Sequence, residues 1–454
     1  MADKKLFSDF EAVSAKQWKQ QIQHDLKGAD YNETLVWESP EGIKVKPFYN
    51  SEDVAEIQKT TSNSGFKILQ DIYVFDVAKS NLRAIETLSR GAESIRFTIE
   101  NETISIDELM QNLLLENTNY FFKTKFLSVD FAEKVSVFNL KNKVSIELQI
   151  DPIHQLVKNG NWSENLESDF EKLNQISNKS NTSFLKIDAT IYQNAGANMV
   201  QQLAYTLAHA NEYFNRISEI NKPITIEISV GTNYFFEIAK LRALRLLFNT
   251  LATEYSHQLD CKITVVPTKR NKTIYDYNTN MLRTTTECMS AILGGTDFIS
   301  NLSYDAIYHK DNEFGDRISR NQLLILKNES YFDKVTNPAD GTYYVESLTN
   351  QLAEKALVLF KEIEVNGGFI SQLIEGNIQK KIAESHKKEQ ELFDSGKEIL
   401  LGTNKHPNKN DRMKNDLELY PFVKFNSQKT AIIPIIEKRL AEKMEQERLK
   451  TETD

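Results

Sequence analysis

The stretch NMLRTTTECMSAILGGTDFISN, residues 280–301, decides how this chain is read. Leu282, Thr285, Thr286, Met289 and Leu293 recur at near-helical spacing, which predicts a helix with that face buried. Gly294-Gly295 then ends it, because glycine enters the left-handed C-cap conformation without steric cost. Residues 297–301 follow as a short strand. Arg283, near the start, opposes the helix dipole, so packing or a partner has to compensate. The whole is one αβ step.

Such steps repeat on either side. Strand-like runs occupy residues 68–75, 94–99, 121–129, 144–150, 184–192, 224–230, 263–266 and 298–302. Helical patterns at 82–88, 106–115, 197–211 and 230–248 stand between them. Eight strands with intervening helices predict an α/β fold, a (β/α)8 TIM barrel. The weak point is 135–148, where the helix before the fourth strand reads as short or missing.

The barrel is expected over 61–368, with an N-terminal arm at 1–60 and a C-terminal helical extension and linker at 369–454. In the arm, Trp18, Ile22 and Leu26 are near-helical until Gly28-Ala29-Asp30, and residues 37–49 are apolar and extended. Too few apolar residues are present for a core of its own, so the arm has to lie on its own barrel or on another subunit. Residues 344–364 are helical up to Gly367-Gly368, a second run reaches about 393, and 405–416 reads as a linker. Residues 435–450 read as a charged helix with a solvated face. No internal repeat is evident.

A length of 454 residues suits a barrel with extensions, and 40% hydrophobic with 26% charged residues is ordinary for a globular protein. A net charge of −9 disfavours nucleic acid or an anionic membrane as the main partner. No apolar run reaches membrane-spanning length, and MADKKLFSDF lacks a signal-peptide core, so a cytoplasmic location is expected. Cys261 and Cys288 form no disulfide or zinc pattern and read as small buried apolar residues.

Several stretches resemble one family. RTTTECMSAILGGT at 283–296 is similar to the last barrel helix and strand of cobalamin-dependent acyl-CoA mutases, methylmalonyl-CoA mutase above all. VGTNYFFEIAKLRALRLLF at 230–248, SRNQ at 319–322, NPADGTYYVESLT at 337–349, WESPEGIKVKPFY at 37–49 and KEILLGTN at 397–404 resemble further motifs of that family. The likeness spans about residues 18–404. It implies an N-terminal arm that embraces a partner subunit.

The same comparison exposes departures. Cobalamin-binding members carry D-x-H-x-x-G in a C-terminal domain, where the histidine ligates cobalt. The histidines here are His24, His154, His209, His257, His309, His386 and His406, and none stands in that string; Asp151-Pro152-Ile153-His154 has the wrong spacing. The sequence ends at Asp454, about where that domain would begin, so no cobalamin domain and no cofactor on this chain are expected. Catalytic members end strand five in S-G-Y-H-M-x-E-A-G-A. With Ala195-Gly196-Ala197 as anchor, the catalytic tyrosine falls on Thr190 and the histidine on Ile191. Isoleucine can neither donate a hydrogen bond nor move a proton. Tyr192, two places on, is a poor substitute for the tyrosine. Residues 267–274, PTKRNKTI, also lack the family's Q-T-S-G-x-S-L-T.

Glu227, Glu237 and Glu287 read as structural carboxylates, since none has a matching acid or histidine nearby in sequence. Lys240, Arg242 and Arg245 could meet coenzyme A phosphates but fit ion pairs with Glu237 or a partner better. Lys269-Arg270 is too short for a nucleic-acid patch. The expectation is therefore the small, structural or stabilising, non-catalytic subunit of a heterodimeric mutase. Its partner, the large catalytic subunit, would hold adenosylcobalamin and act on the acyl-CoA. The alternatives are the substrate-binding subunit of a related acyl-CoA mutase with a separate cobalamin chain, or a non-enzymatic barrel scaffold. The barrel axis is expected to be packed by Ile, Leu, Val and Phe, with Ser94, Thr98, Thr124 and Ser145 the residues small enough to line a path.

Overall fold

The structure, a computed structural model, describes residues 9–54, 65–113, 116–255, 259–424 and 429–452. Eight parallel strands form the barrel: β1 (Lys67–Tyr73), β2 (Ser94–Ile99), β3 (Asn119–Thr124), β4 (Ile146–Gln149), β5 (Lys186–Asp188), β6 (Ile224–Val230), β7 (Cys261–Pro267) and β8 (Phe298–Ile299). Their order is β4-β3-β2-β1-β8-β7-β6-β5. Closure between β4 and β5 runs through a parallel bridge, Ile150 to Leu185, and the Lys186 amide donates to the Ile150 carbonyl at 3.1 Å.

The helix that the sequence pattern left short is fully formed, Val129–Asn142. Ser128 caps it, donated to by the Phe131 amide, and Phe131, Ala132, Val135, Phe138 and Asn139 bury one helical face. Its β-branched valines gave a strand-like local signal that tertiary packing overrides. Conversely, only Ile106–Leu109 of the helix expected at 106–115 is helical, and 114–115 lie outside the described residues. Strand five stops at Asp188, and Thr190–Asn194 turns into a short helix.

The helix Thr279–Leu293 buries a different face from the apolar one. Arg283, Thr284, Glu287, Cys288 and Ala291 face inward, whereas Leu282 is 67% exposed. Polar pairing decides this: Glu287 meets Lys272 at 2.8 Å, and Arg283 donates to Asn280 at 2.8 Å and to the Leu401 carbonyl at 2.6 Å. Those acceptors compensate Arg283 against the helix dipole. Gly295, at φ +83°, takes the left-handed position. Gly294 is helical, and a Cβ there would stand 2.9 Å from Leu241.

Residues 37–49 of the arm lie on their own chain, whereas the arm helix Ala15–Asp25 buries no residue. Ile43 is fully buried, the Trp37 ring meets Phe236 at 5.7 Å, and Tyr49 meets Tyr344 at 5.0 Å. Lys240 pairs with Glu237 of its own helix at 2.6 Å, Arg242 with Glu346 of helix Tyr343–Val365 at 2.7 Å and Arg245 with Asp297 at 3.0 Å, so all three cations are engaged within the chain. Cys261 and Cys288 are buried free thiols, and burial raises the Cys261 pKa to about 12.

Side chains alternate along a strand, and here the two phases differ in kind. The outward phase, such as Ile224, Ile226 and Ile228 of β6 or Ile95, Phe97 and Ile99 of β2, joins the main core against the helices. The inward phase is charged. Arg96 of β2 binds Asp71 of β1 at 2.8 Å and Glu227 of β6 across the barrel. Lys186 of β5 bridges Glu227 at 2.8 Å and Asp188 at 3.0 Å, and Lys123 of β3 reaches Asp188 at 3.2 Å. Lys262 of β7 pairs with Glu147 of β4 at 2.5 Å. Leu69, Phe121 and Phe298 form a small apolar cluster among them. An ion network therefore stands on the axis where aliphatic layers were expected. The inward phase of β2 includes Ser94 and Thr98, beside Arg96; Thr124 takes the outward phase of β3, and Ser145 is exposed.

Burial opposes the Asp71 carboxylate, but Arg96 and Ser300 outweigh it and lower its pKa to about 2. A carboxyl depressed on folding stabilises above its unfolded value, and that contribution is lost as pH falls from about 4 towards 2. Replacing Arg96 by Met should cost about 3–5 kcal/mol in urea unfolding, because Asp71 loses its cation and buried Glu227 keeps only Lys186, which it shares with Asp188. Adding Glu227→Gln should restore part of that loss; additive losses would contradict the pairing.

Candidate functional site

In barrels of this kind chemistry gathers at the C-terminal ends of the strands. There Asp188 ends β5, and the Thr190 hydroxyl donates to its Oδ1 at 2.6 Å. Thr190 sits half-buried at the mouth, whereas Ile191 is buried in the core. The fold thus brings Thr190 to the charged cluster and turns Ile191 away. Burial disfavours the Asp188 carboxylate, yet His154, Lys186 and Lys123 hold its pKa well below the usual range.

Tyr192 is completely buried and points into the helix layer, away from the mouth. Its hydroxyl lies 3.1 Å from His209 Nδ1, and His209 Nε2 lies 2.9 Å from Asp151 Oδ1. Tyr213 donates to the same oxygen at 2.6 Å, and the Asp188 amide donates to Asp151 Oδ2 at 2.6 Å. Burial raises the Tyr192 pKa well above its ordinary value, so this phenol stays neutral. The chain of bonds ties β5 to helix Met199–Arg216.

The remaining candidates are also engaged within the chain. Glu227 belongs to the interior network and Glu287 to the Lys272 pair. In the loop after β7, Thr268 donates to Asn194 at 2.7 Å and Arg270 binds Glu389 at 2.6 Å. Arg270 also presses on His386, whose pKa burial and this cation lower to about 4. His309 contacts Asp305 at 3.1 Å, His24 and His406 are exposed, and His257 lies outside the described residues.

The C-terminal segment is where sequence reading went furthest astray. The helix covers only Glu442–Thr451; Lys443, Glu447 and Lys450 form the expected solvated charged face, but Glu445 is 1% exposed and accepts the Ile274 amide at 2.9 Å. Before it, residues 431–441 form a strap over the C-terminal face. Ile432 donates to the Gly160 carbonyl, Ile435 to Val157, Lys438 to Asn194 and Leu440 to Arg270, all within 3.1 Å. The strap thereby joins the loops after β4, β5 and β7. The run AIIPII at 431–436 carried the signal, since Ile432 and Ile435 are its buried anchors.

A cobalt-binding role does not fit these residues. His209 engages both ring nitrogens within the chain. Burial lowers the pKa of His154 against the opposing carboxylates Asp188 and Asp151, and its Nδ1 lies 2.9 Å from the Asp188 carbonyl. No group of three or more His, Cys, Asp or Glu side chains suited to a metal occurs among the described residues. No helix there is long and apolar enough to cross a membrane.

Fold and mouth together define an α/β barrel protein whose C-terminal face is held by structural polar contacts. The methylmalonyl-CoA mutase family profile matches residues 104–452, and the chain belongs to that family. It is 33% identical to the methylmalonyl-CoA mutase small subunit of Porphyromonas gingivalis, over 89% of this chain and 71% of that one. It is 27% identical to the methylmalonyl-CoA mutase of Rhizobium meliloti, over 87% of this chain and 64% of that protein. The mitochondrial enzyme of Bos taurus is 26% identical, over 86% of this chain and 60% of its own length.

The strap makes a direct test possible. Gly160 has φ +79°, and an added Cβ would stand 2.7 Å from Thr430 and 2.8 Å from the Ile432 carbonyl. Gly160→Ala should destabilise by about 1–3 kcal/mol and speed proteolytic cleavage between 425 and 445. Unchanged cleavage would mean that the strap is not anchored there.

Proposed function

We propose that this chain is the small, non-catalytic subunit of a heterodimeric adenosylcobalamin-dependent methylmalonyl-CoA mutase, which interconverts methylmalonyl-CoA and succinyl-CoA. The observation that carries the reading is the ion network on the barrel axis. Arg96, Lys186 and Glu227 occupy the space a threaded acyl-CoA would need, each almost fully buried. Thr190 and Ile191, at the family's tyrosine and histidine positions, agree with it. Ile191 supplies no donor for a thioester carbonyl, and Thr190 is engaged with Asp188. The likeness to a small subunit supports the same assignment.

In this reading the large partner subunit holds adenosylcobalamin and the acyl-CoA, and this chain stabilises the assembly. The segment at 1–60 serves dimerisation, the barrel spans 61–368, and the helical extension at 369–454 braces the barrel mouth. A cytoplasmic setting suits the two free thiols.

Affinity capture of the full chain from its native cells should recover a larger subunit of the same family carrying D-x-H-x-x-G. The purified chain with adenosylcobalamin should not turn over methylmalonyl-CoA. Turnover by the chain alone would overturn the proposal. Deleting residues 1–50 should raise the dissociation constant for the captured partner at least tenfold, roughly 1.4 kcal/mol, while far-ultraviolet circular dichroism still reports a folded barrel. An unchanged constant would remove the arm from the interface.

A further inference from the structure

The loop after β8 and the segment at 411–424 meet at one histidine. The Tyr308 carbonyl accepts the Glu418 and Leu419 amides at 2.9 and 2.8 Å, and the Lys310 amide donates to the Glu418 carboxylate at 2.9 Å. His309 stands between these contacts. Its Nδ1 lies 3.1 Å from Asp305 Oδ2 in the loop, and its Nε2 lies 3.0 Å from the Asp416 carbonyl in the segment. The Asp416 carboxylate is 3.5 Å from the same Nε2.

Both partners are acceptors. Asp305 Oδ2 already accepts from Asn312 Nδ2 at 2.8 Å, and a backbone carbonyl has no proton to give. A neutral imidazole carries one N–H and can satisfy one of the two; an imidazolium carries two and satisfies both. We propose that His309 is a proton-operated latch, which holds the segment at 411–424 on the loop after β8 while both ring nitrogens carry a proton and frees the Asp416 end when one is lost. The remaining proton stays on Nδ1, facing the charged acceptor Asp305, so the Nε2 lone pair is left against the Asp416 carbonyl. Beneath the segment lies an apolar cluster of Ile274, Tyr275, Tyr308, Met413 and Phe422, which release of the latch uncovers.

The charges around the ring agree with this. Asp305 comes from the loop and Asp416 from the segment, and the Tyr308 ring packs 4.4 Å away. At the start of helix Glu313–Asn328, Glu313 is engaged by Arg90 and Asp316 by Arg83. Burial opposes the imidazolium, but Asp305 and Asp416 outweigh it and raise the His309 pKa. A group raised on folding stabilises fully below its unfolded value, about 6.5 for histidine, and that contribution is lost as pH rises through the folded value. The latch is therefore closed in acid and opens towards alkaline pH.

The test follows the His309 ring of the full chain by NMR across pH, with the signal assigned by its loss in His309→Gln. Hydrogen exchange of peptides covering 411–424 is read by mass spectrometry in the same buffers. His309 should titrate above about 6.5. Protection of those peptides, corrected for the intrinsic exchange rate, should fall roughly threefold or more from about pH 6 to about pH 9, while peptides from β6 hold theirs. In His309→Gln the protection should no longer change with pH. Titration at or below the ordinary value, protection indifferent to pH in the native chain, or the same fall in His309→Gln would each overturn the proposal. Should the variant fail to fold, the titration and the native-chain exchange can still each refute it.

Discussion

The guanidinium of Arg96, held between Asp71 and Glu227, is the contact on which the barrel interior depends. Removing a charge from water costs several kcal/mol even after relaxation, so none of these groups can sit on the axis alone. Most inward charges have therefore found an opposite one. Arg96, Lys123, Lys186 and Lys262 answer Asp71, Glu147, Asp188 and Glu227. Three of these pairs, Arg96–Glu227, Lys123–Asp188 and Lys262–Glu147, join strands that are not neighbours in the sheet, so they also fix the cross-section of the barrel. This ion-paired axis leaves the helices to carry the apolar core and leaves the mouth to the loops.

That arrangement connects to the mouth. Asp188 is shared between the network below and the Thr190 turn above, and its amide is held by Asp151. Asp151 in turn binds His209 and Tyr213 on the outer helix. The end of β5 is thus clamped from two sides, at the point where related catalytic enzymes are expected to place reacting groups. The strap adds a third restraint through Asn194 and Arg270. Such rigidity suits the structural role proposed for this chain.

Much of the fold was legible in the sequence, because eight alternating runs and glycine stops are local signals. The interior was not. ITIEISV in β6 presents Ile on one phase and Thr, Glu and Ser on the other, and either could have faced the axis. Outer helices demand an apolar face, which sends the charges inward, yet only the closed barrel shows that they neutralise one another. Helix Thr279–Leu293 misled for the same reason: its buried face was chosen by Glu287 and Arg283, whose partners Lys272 and Leu401 are distant in the folding pattern. Thr190 and Ile191 were located by motif alignment. Their differing fates, one on Asp188 and one in the core, needed the short helix that the strand pattern concealed.

The most direct measurement is calorimetric titration of methylmalonyl-CoA into the purified chain, with Arg96→Ala/Glu227→Ala beside it to open the axis. The account predicts no saturable binding by the native chain up to millimolar ligand, about the −4 kcal/mol level. Stoichiometric binding by the native chain at micromolar concentration would contradict it, since an axis crossed by Arg96, Lys186 and Glu227 leaves the ligand no path.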